Sequence, residues 1–372
     1  MLIEFASSAQ SSVGIEWELA LVDLETGELA PMAAEVLAAL GAQDDGPIRK
    51  EYLKNMVELV SGVHHRVGDA VADLAEQLRI LRIALAPLDL GVIGAGSHPF
   101  SRAADQERFH GSRYDIVAER TAYWGQQMAI CGTHVHVGVD HRDKALPITC
   151  GLARFYPYLL ALSCSSPYWE GDDSGYASQR TMLFQQLPTN GLPYPMRTWA
   201  EFEDYAEDLL ECGMINVAAE IRWDVRPSPK FGTVENRTAD SVPTLAELGC
   251  VAALTQCFTE HVSRNYEQDL PLERLPPWLV RENKWRAARY GLDAEVIVPR
   301  NGRRVVPLRE GLLKWLDRLT PISRDLGCEP ELAFAAELAE HGASYERQRA
   351  TGSPALALRQ LLDETGAASP FA

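Results

Sequence analysis

The sequence predicts an α+β fold, with helices packed against an antiparallel sheet. Three features point to it. Short stretches alternate apolar and polar residues with the two-residue period of a half-buried strand, as Val13, Ile15, Trp17, Leu19 and Leu21 do. Other stretches repeat apolar residues every three or four positions, the period of an amphipathic helix. The strand patterns come in hairpin-like groups and not in strict strand–helix alternation, which disfavours a parallel sheet.

Along the chain, the first strand carries Ile15, Trp17 and Leu19 on one face and Glu16 and Glu18 on the other. Residues 23–28, with Gly27, read as the turn of a hairpin. Met56-Val57-Glu58-Leu59-Val60 is an apolar strand interrupted by an acid. Val71, Leu74, Leu78, Leu81 and Leu85 mark a helix that Pro87 stops. A short apolar strand over 91–96 and an alternating one over 129–139 follow. Helical patterns cover 144–162, 198–212 and 244–267. Residues 295–300 and 303–307 flank Asn301-Gly302, the strongest hairpin signal in the chain. Ser353-Pro354 suits a helix cap and first turn, and the last few residues are expected to fray.

Composition narrows the function. A chain of 372 residues, 46% hydrophobic and with eight Trp, is that of a globular protein able to bury one or two sizeable cores. Its net charge of −17 argues against a nucleic-acid or anionic-membrane partner. No apolar run approaches the length of a membrane span, and the first ten residues lack the basic-then-apolar order of a signal peptide. Seven cysteines with no Cys-x-x-Cys pair fit reduced thiols in a cytoplasm. Length alone would suggest two domains, but candidate chemical residues spread from Glu16 to Arg237, so residues 1–372 are read as one catalytic domain.

Those residues share a pattern. Glu16 and Glu18 lie two apart and so project from one strand face. His134 and His136 repeat the spacing in Gly132-Thr133-His134-Val135-His136-Val137-Gly138, where the glycines leave room for a ligand to approach the backbone. Glu58 interrupts its apolar strand, and Glu235 and Arg237 share a face in Gly232-Thr233-Val234-Glu235-Asn236-Arg237. Glu51 could reach the same place only if the strand of Glu58 begins after it. Each residue alone is more simply a solvated surface group or a core histidine. Together they give a sheet with one apolar side and one side suited to cations, and histidine with carboxylates and few thiols points to Mg²⁺ or Mn²⁺ more than to structural zinc. Arg180, in a polar segment unlike core, Arg226 and Arg237 add groups that grip carboxylate or phosphate. Acids, cations and arginines on one face suit triphosphate chemistry. There is no Gly-x-x-x-x-Gly-Lys phosphate loop and no Gly-x-Ser-x-Gly elbow, and Gly91, Gly94 and Gly96 form only a fragment of a dinucleotide fingerprint.

These stretches, with Gly96-Ser97-His98-Pro99-Phe100, Ser165-Ser166-Pro167-Tyr168-Trp169, Gly175-Tyr176-Ala177-Ser178-Gln179-Arg180, Trp223-Asp224-Val225-Arg226-Pro227 and the segment from Glu282 to Gly291, resemble the type 2 glutamate–cysteine ligase family of carboxylate–amine ligases, within the glutamine synthetase-like group. The resemblance implies a curved antiparallel sheet flanked by helices, often in a homodimer. It implies that Glu16, Glu18, Glu58, His134 and Glu235 hold Mg²⁺ bridging the phosphates of ATP, with Glu51 a weaker carry-over. His136, Arg180 and Arg226 would contact the nucleotide, while Arg226, Arg237 and Glu235 would serve the phosphoryl transfer. Trp17 stands where the family usually has Glu, and Ser97 where Thr is more usual. The implied reaction phosphorylates the γ-carboxylate of glutamate, after which an amine such as that of cysteine displaces phosphate. Other readings are a ligase for a different carboxylate or amine, a nucleotide-binding protein without turnover, and a metallohydrolase built on His134 and His136.

Overall fold

The structure, a computed structural model, describes residues 2–271, 274–299 and 304–366. Its sheet strands are β1 (Val13–Asp23), β2 (Ile48–Lys50), β3 (Met56–Val60), β4 (Leu90–Ile93) and β5 (Gly132–Gly138). A two-stranded ribbon, β6 (Tyr168–Trp169) with β7 (Asp172–Asp173), lies apart from it. β8 (Val225–Ser228) and β9 (Thr233–Asp240) complete the sheet, and β10 (Glu295–Ile297) with β11 (Val305–Pro307) makes a second ribbon. The sheet is antiparallel throughout, in the order β2-β3-β1-β5-β9-β8, with β4 on the far half of β1.

β1 is long because it serves three neighbours. Its residues Glu16–Ala20 pair with β3, Ala20–Asp23 with β4 and Val13–Trp17 with β5. One face of this unit is apolar apart from the buried Thr133 of β5: Val13, Ile15, Trp17 and Leu19 of β1, Val57 and Leu59 of β3, and Val135 and Val137 of β5 are buried. Helices Val67–Leu85 and Leu245–Glu267 cover it, and Arg142–Ser163 covers the adjoining β8 and β9. Trp17 packs into that layer, its indole N–H donating to the Val242 carbonyl at 3.0 Å. Burial of each such side chain contributes about 1.5–3 kcal/mol, so this face and not the polar one holds the sheet in place.

The helix Arg142–Ser163 corrects one expectation. It is long and apolar enough to cross a membrane, yet most of it is buried inside the protein, against helices Leu245–Glu267 and Pro277–Tyr290. Its apolarity is that of a core helix. Elsewhere local signals place the ends well. Thr198 and Glu201 form a capping box on the helix Trp199–Glu211, and Thr244 caps Leu245–Glu267 through the Glu247 amide. The turn after β1 closes through Asp23 N–H to Glu28 O (2.9 Å), but the returning chain makes a lone bridge, Val22 to Leu29, and not a second strand. Asn301-Gly302 and the residues after 366 lie outside the described residues.

The Gly96-Ser97-His98-Pro99-Phe100 stretch is scaffold. His98 Nδ1 accepts from the Phe100 and Ser101 amides (3.2 and 2.9 Å), which makes Nε2 the donor to the Gly27 carbonyl (3.0 Å). The ring thus ties the segment after β4 to the turn after β1 in its neutral form. Burial pushes its pKa down from 6.5 to about 4, outweighing the Gly27 bond. Between those values the unfolded chain takes up a proton that the folded ring refuses. This contribution to stability is therefore complete above pH 6.5 and declines by about 3 kcal/mol as the pH falls to 4. Denaturant titrations at pH 7 and pH 4.5 should show a smaller acid loss for His98→Asn, whose amide oxygen can accept the same bonds without titrating. An equal loss in the two proteins would assign the acid sensitivity to other groups.

Candidate active site

The register of the sheet assembles the polar face. With the odd positions of β1 committed to the core, Glu16 and Glu18 point the other way. Across the strands, Glu18 pairs with Glu58 of β3, Glu16 with His134 of β5, and His136 of β5 with Glu235 of β9, which pairs in turn with Arg226 of β8. Directly opposed residues stand about 4.5–5.5 Å apart, so the side chains form a continuous row over five strands. His134 Nδ1 lies 3.2 Å from Glu16 Oε2, and His134 Nε2 is 3.8 Å from Glu18 Oε1. His136 Nε2 lies between Glu16 Oε1 (3.5 Å) and Glu235 Oε2 (3.9 Å), while its Nδ1 faces Thr233 Oγ1 at 2.9 Å.

Ligand atoms in this row converge in three overlapping groups: Glu16, His136 and Glu235; Glu16, Glu58 and His134; and Glu18, Glu51 and Glu58. Within each group the atoms lie within 4.8 Å of one another. Glu16 and Glu58 each belong to two groups, and none contains a cysteine. Glu51, from the segment between β2 and β3, thus reaches the row. The side-chain Nε2 of His134 is buried with no hydrogen-bond partner among the described residues. Carboxylate-rich groups with one histidine or none suit hard divalent cations such as Mg²⁺ or Mn²⁺.

The electrostatics divide the row in two. Burial raises Glu58 well above the usual carboxylate range, and the charges of Glu51, Glu16 and Glu18 push the same way. Glu18 is also raised by burial, although His134 opposes the shift. At Glu16, burial is outweighed by hydrogen bonds from His134 and His136, which hold the carboxyl far below its ordinary value. At Glu235, 1% exposed, burial is outweighed by Arg226, Arg237 and His136. The β3 end therefore carries mutually repelling acids, whereas the β8 end is already neutralised by the chain itself.

Arg226 Nε donates to Glu235 at 2.7 Å, and its Nη1 donates to the carbonyls of Ala219 and Ile221. Arg237 Nη1 donates to the other Glu235 oxygen. Arg180 departs from its expectation as a residue of a polar, non-core segment. It is buried in the short helix Gln179–Phe184, donates to the Arg237 carbonyl and lies 4.0 Å from Asp240. The Nε atoms of Arg180 and Arg237 are buried without a partner among the described residues. Both arginines and His134 line a pocket of about 160 Å³ beside Glu18 and Glu51. Its other wall is apolar, formed by Met128, Ile130, Phe184 and Leu187.

Two features escape sequence parity. A bulge in β9 sets Thr133 opposite Ala239 but Val135 opposite Asn236, so one extra residue sits across from His134. Beyond it the faces switch, which brings Asp240 to the side of Arg180. The glycines flanking the histidines also serve a different purpose from the one expected. A Cβ on Gly132 would lie 2.2 Å from Arg180 Nη2, and one on Gly138 would lie 2.2 Å from the Ala9 carbonyl oxygen. The space belongs to the chain's own groups, and not to a ligand.

A family model described as glutamate-cysteine ligase family 2 matches residues 12–353. A protein of Arthrobacter sp. (strain FB24) named "Putative glutamate--cysteine ligase 2-1" is 48% identical over 357 residues, 94% of this chain and 93% of its own. One of Leifsonia xyli subsp. xyli (strain CTCB07), named "Putative glutamate--cysteine ligase 2", is 49% identical over 352 residues, with the same two shares. Among solved structures, the glutamate–cysteine ligase of Francisella tularensis in complex with AMP matches with a TM-score of 0.66 at 13% identity, over 98% of this chain and 94% of that one. The bifunctional glutathione synthetase of Pasteurella multocida matches at 0.64 and 16% identity, over 96% of this chain and 52% of that one. At such identities the likeness shows a shared fold.

Repulsion at the β3 end gives a test of the row. Glu58→Gln keeps the size and removes the cost of burying an ionisable acid beside Glu51, Glu16 and Glu18, so metal-free protein should gain about 1–2 kcal/mol of stability. The rise in melting temperature on adding Mg²⁺ should shrink in the same variant. A variant no more stable than the wild type, with an unchanged Mg²⁺ response, would remove Glu58 from the cation-binding set.

Proposed function

The chain belongs to glutamate–cysteine ligase family 2, and from that premise we propose that it is an ATP- and Mg²⁺-dependent carboxylate–amine ligase, joining the γ-carboxylate of glutamate to an amine such as that of cysteine. The observation that carries this reading is the row of three overlapping ligand groups ending at two arginines. Glu16, Glu18, Glu58, His134 and Glu235, with Glu51 and His136 beside them, would hold Mg²⁺ or Mn²⁺. The chemistry a cation held by these residues would supply is neutralisation of phosphate charge and polarisation of a phosphoryl group.

The chain's own residues do the positioning. Arg226 and Arg237 keep Glu235 ionised and fixed, and in this reading their guanidinium groups would also stabilise negative charge on a phosphoryl group in flight. His136 and Arg180 would contact the nucleotide. The carboxylate attacks the γ-phosphorus of ATP, giving an acyl phosphate and ADP. The amine then attacks the acyl carbon, loses a proton and expels inorganic phosphate. No protein nucleophile is required, in keeping with Cys131, whose buried thiol is pushed well above its usual value. The apolar wall of the pocket by Glu18 favours a second reading of the acceptor, as an amine with an apolar side chain other than cysteine's.

Heavy-oxygen labelling tests the chemistry. Glutamate labelled in its γ-carboxyl should pass one labelled oxygen to the released phosphate. An adenylating ligase would put the label in AMP, and unlabelled phosphate from a productive reaction would defeat the acyl-phosphate route. For Arg226→Ala, kcat should fall roughly 10²–10³-fold with a smaller change in KM for ATP. A change confined to KM would make Arg226 a ground-state clamp.

A further inference from the structure

Beside the β8 end of the row is a turn, residues 228–232, that contributes nothing to the cation-binding groups. It is held firmly. Phe231 N–H donates to Ser228 O (3.1 Å), Ala6 N–H to Pro229 O (2.9 Å), Ser8 Oγ to Phe231 O (2.7 Å) and Val139 N–H to Gly232 O (2.9 Å). Gly232 has a φ of +63°, and a Cβ there would stand 2.0 Å from the Ala6 carbonyl oxygen, so no other residue fits. The chain's first residues thus strap the turn down. Yet the turn presents an aromatic ring to solvent: Phe231 is 51% exposed. The ring sits against His136, with centroids 5.7 Å apart and planes at 89°, and Lys230 Nζ lies 5.1 Å from the ring centre.

We propose that Phe231 is the stacking platform for the purine base of the nucleotide; this rests on the function proposed above and adds an orientation to it. The base lies on Phe231, and the phosphates run over His136 and Glu16 towards Glu58. From β5 to β3 is two strand spacings, about 9–10 Å, a span over which a chain of phosphates can follow successive ligand groups. Lys230 and Arg226 place positive charge at this end of an otherwise acidic face. The pocket beside Glu18 and Glu51, with its apolar wall, is left to the carboxylate and the amine. An aromatic platform needs only the π-face of a base, and a rigid backbone means that little order has to be created on binding.

The test measures affinity for Mg²⁺–ADP by calorimetry, apparent KM for ATP, and inhibition by inorganic tripolyphosphate, which lacks a base. Stacking on an aromatic side chain is worth about 1–3 kcal/mol, so Phe231→Ala should weaken ADP binding and raise KM for ATP roughly 5- to 150-fold. Tripolyphosphate inhibition should stay as in the wild type, and Phe231→Trp should restore nucleotide affinity. Unchanged ADP affinity in Phe231→Ala would overturn the proposal. So would an equal loss for ADP and tripolyphosphate, which would make the ring a structural prop, or a change of oligomeric state by light scattering without a change in ADP affinity, which would make it an interface residue. A wild type that binds Mg²⁺–ADP but fails the labelling test would sink the ligase chemistry and leave the platform to be judged by binding alone. A wild type that binds no Mg²⁺–ADP would overturn both.

Discussion

Four carboxylates, Glu16, Glu18, Glu51 and Glu58, converge on one side of the sheet, and the cost of burying acids beside one another there, desolvation first and repulsion with it, is the constraint on which the rest of the structure depends. Like charges directly opposite one another in a sheet are destabilising, so something else must fix the register that brings Glu18 against Glu58. The opposite face of the same strands does so. A slip of one residue in β1 would carry Glu16 and Glu18 into the layer occupied by Ile15, Trp17 and Leu19, at a cost far above the repulsion relieved. The apolar face thus imposes an arrangement that the polar face resists. Strain of this kind is tolerated where a bound cation can relieve it.

The neutralised end of the row depends on a different device. Glu235 is ionised in a buried place because two arginines meet it, and Arg226 is itself fixed by the backbone carbonyls of Ala219 and Ile221. Arg180 is fixed through Asp240, which is fully buried and accepts from Ser165 N–H (3.0 Å), Ser166 Oγ (2.7 Å) and Ser178 Oγ (2.7 Å). Asp224 pairs with Lys284 at 2.7 Å, both buried, which ties the approach to β8 to the helix Pro277–Tyr290. Asn283 in that helix holds both the N–H and the carbonyl of Ile297 in β10. Removing one member of such a buried network strands its partner, a loss of several kcal/mol, so these residues are constrained as tightly as any in the row.

Family motifs therefore divide into two kinds that look alike as text. Glu16, Glu18, Glu58, His134, His136 and Glu235 turn polar atoms towards one another, so that they converge in groups able to share a cation. His98, Ser165, Ser166, Asp224 and Lys284 turn theirs towards backbone and buried partners. Polarity in a strand or turn does not tell these apart, because both kinds interrupt apolar surroundings. The direction of the side chain and the identity of its partner do.

The sequence by itself determined which side chains share a face within a strand. That follows from the two-residue repeat of an extended backbone, a local property, and it placed Glu16 with Glu18 and His134 with His136 correctly. Helix ends marked by Thr198 and Thr244 were legible for the same reason, since a cap bonds only to the next few amides. Only the tertiary structure decided how the faces line up: that Glu58 meets Glu18, that Glu51 reaches the row, that a bulge in β9 turns Asp240 towards Arg180, and that Arg180 is buried. Each of these is settled by contacts between residues far apart in the chain, where loop closure and packing, and not the spacing of letters, select the partner.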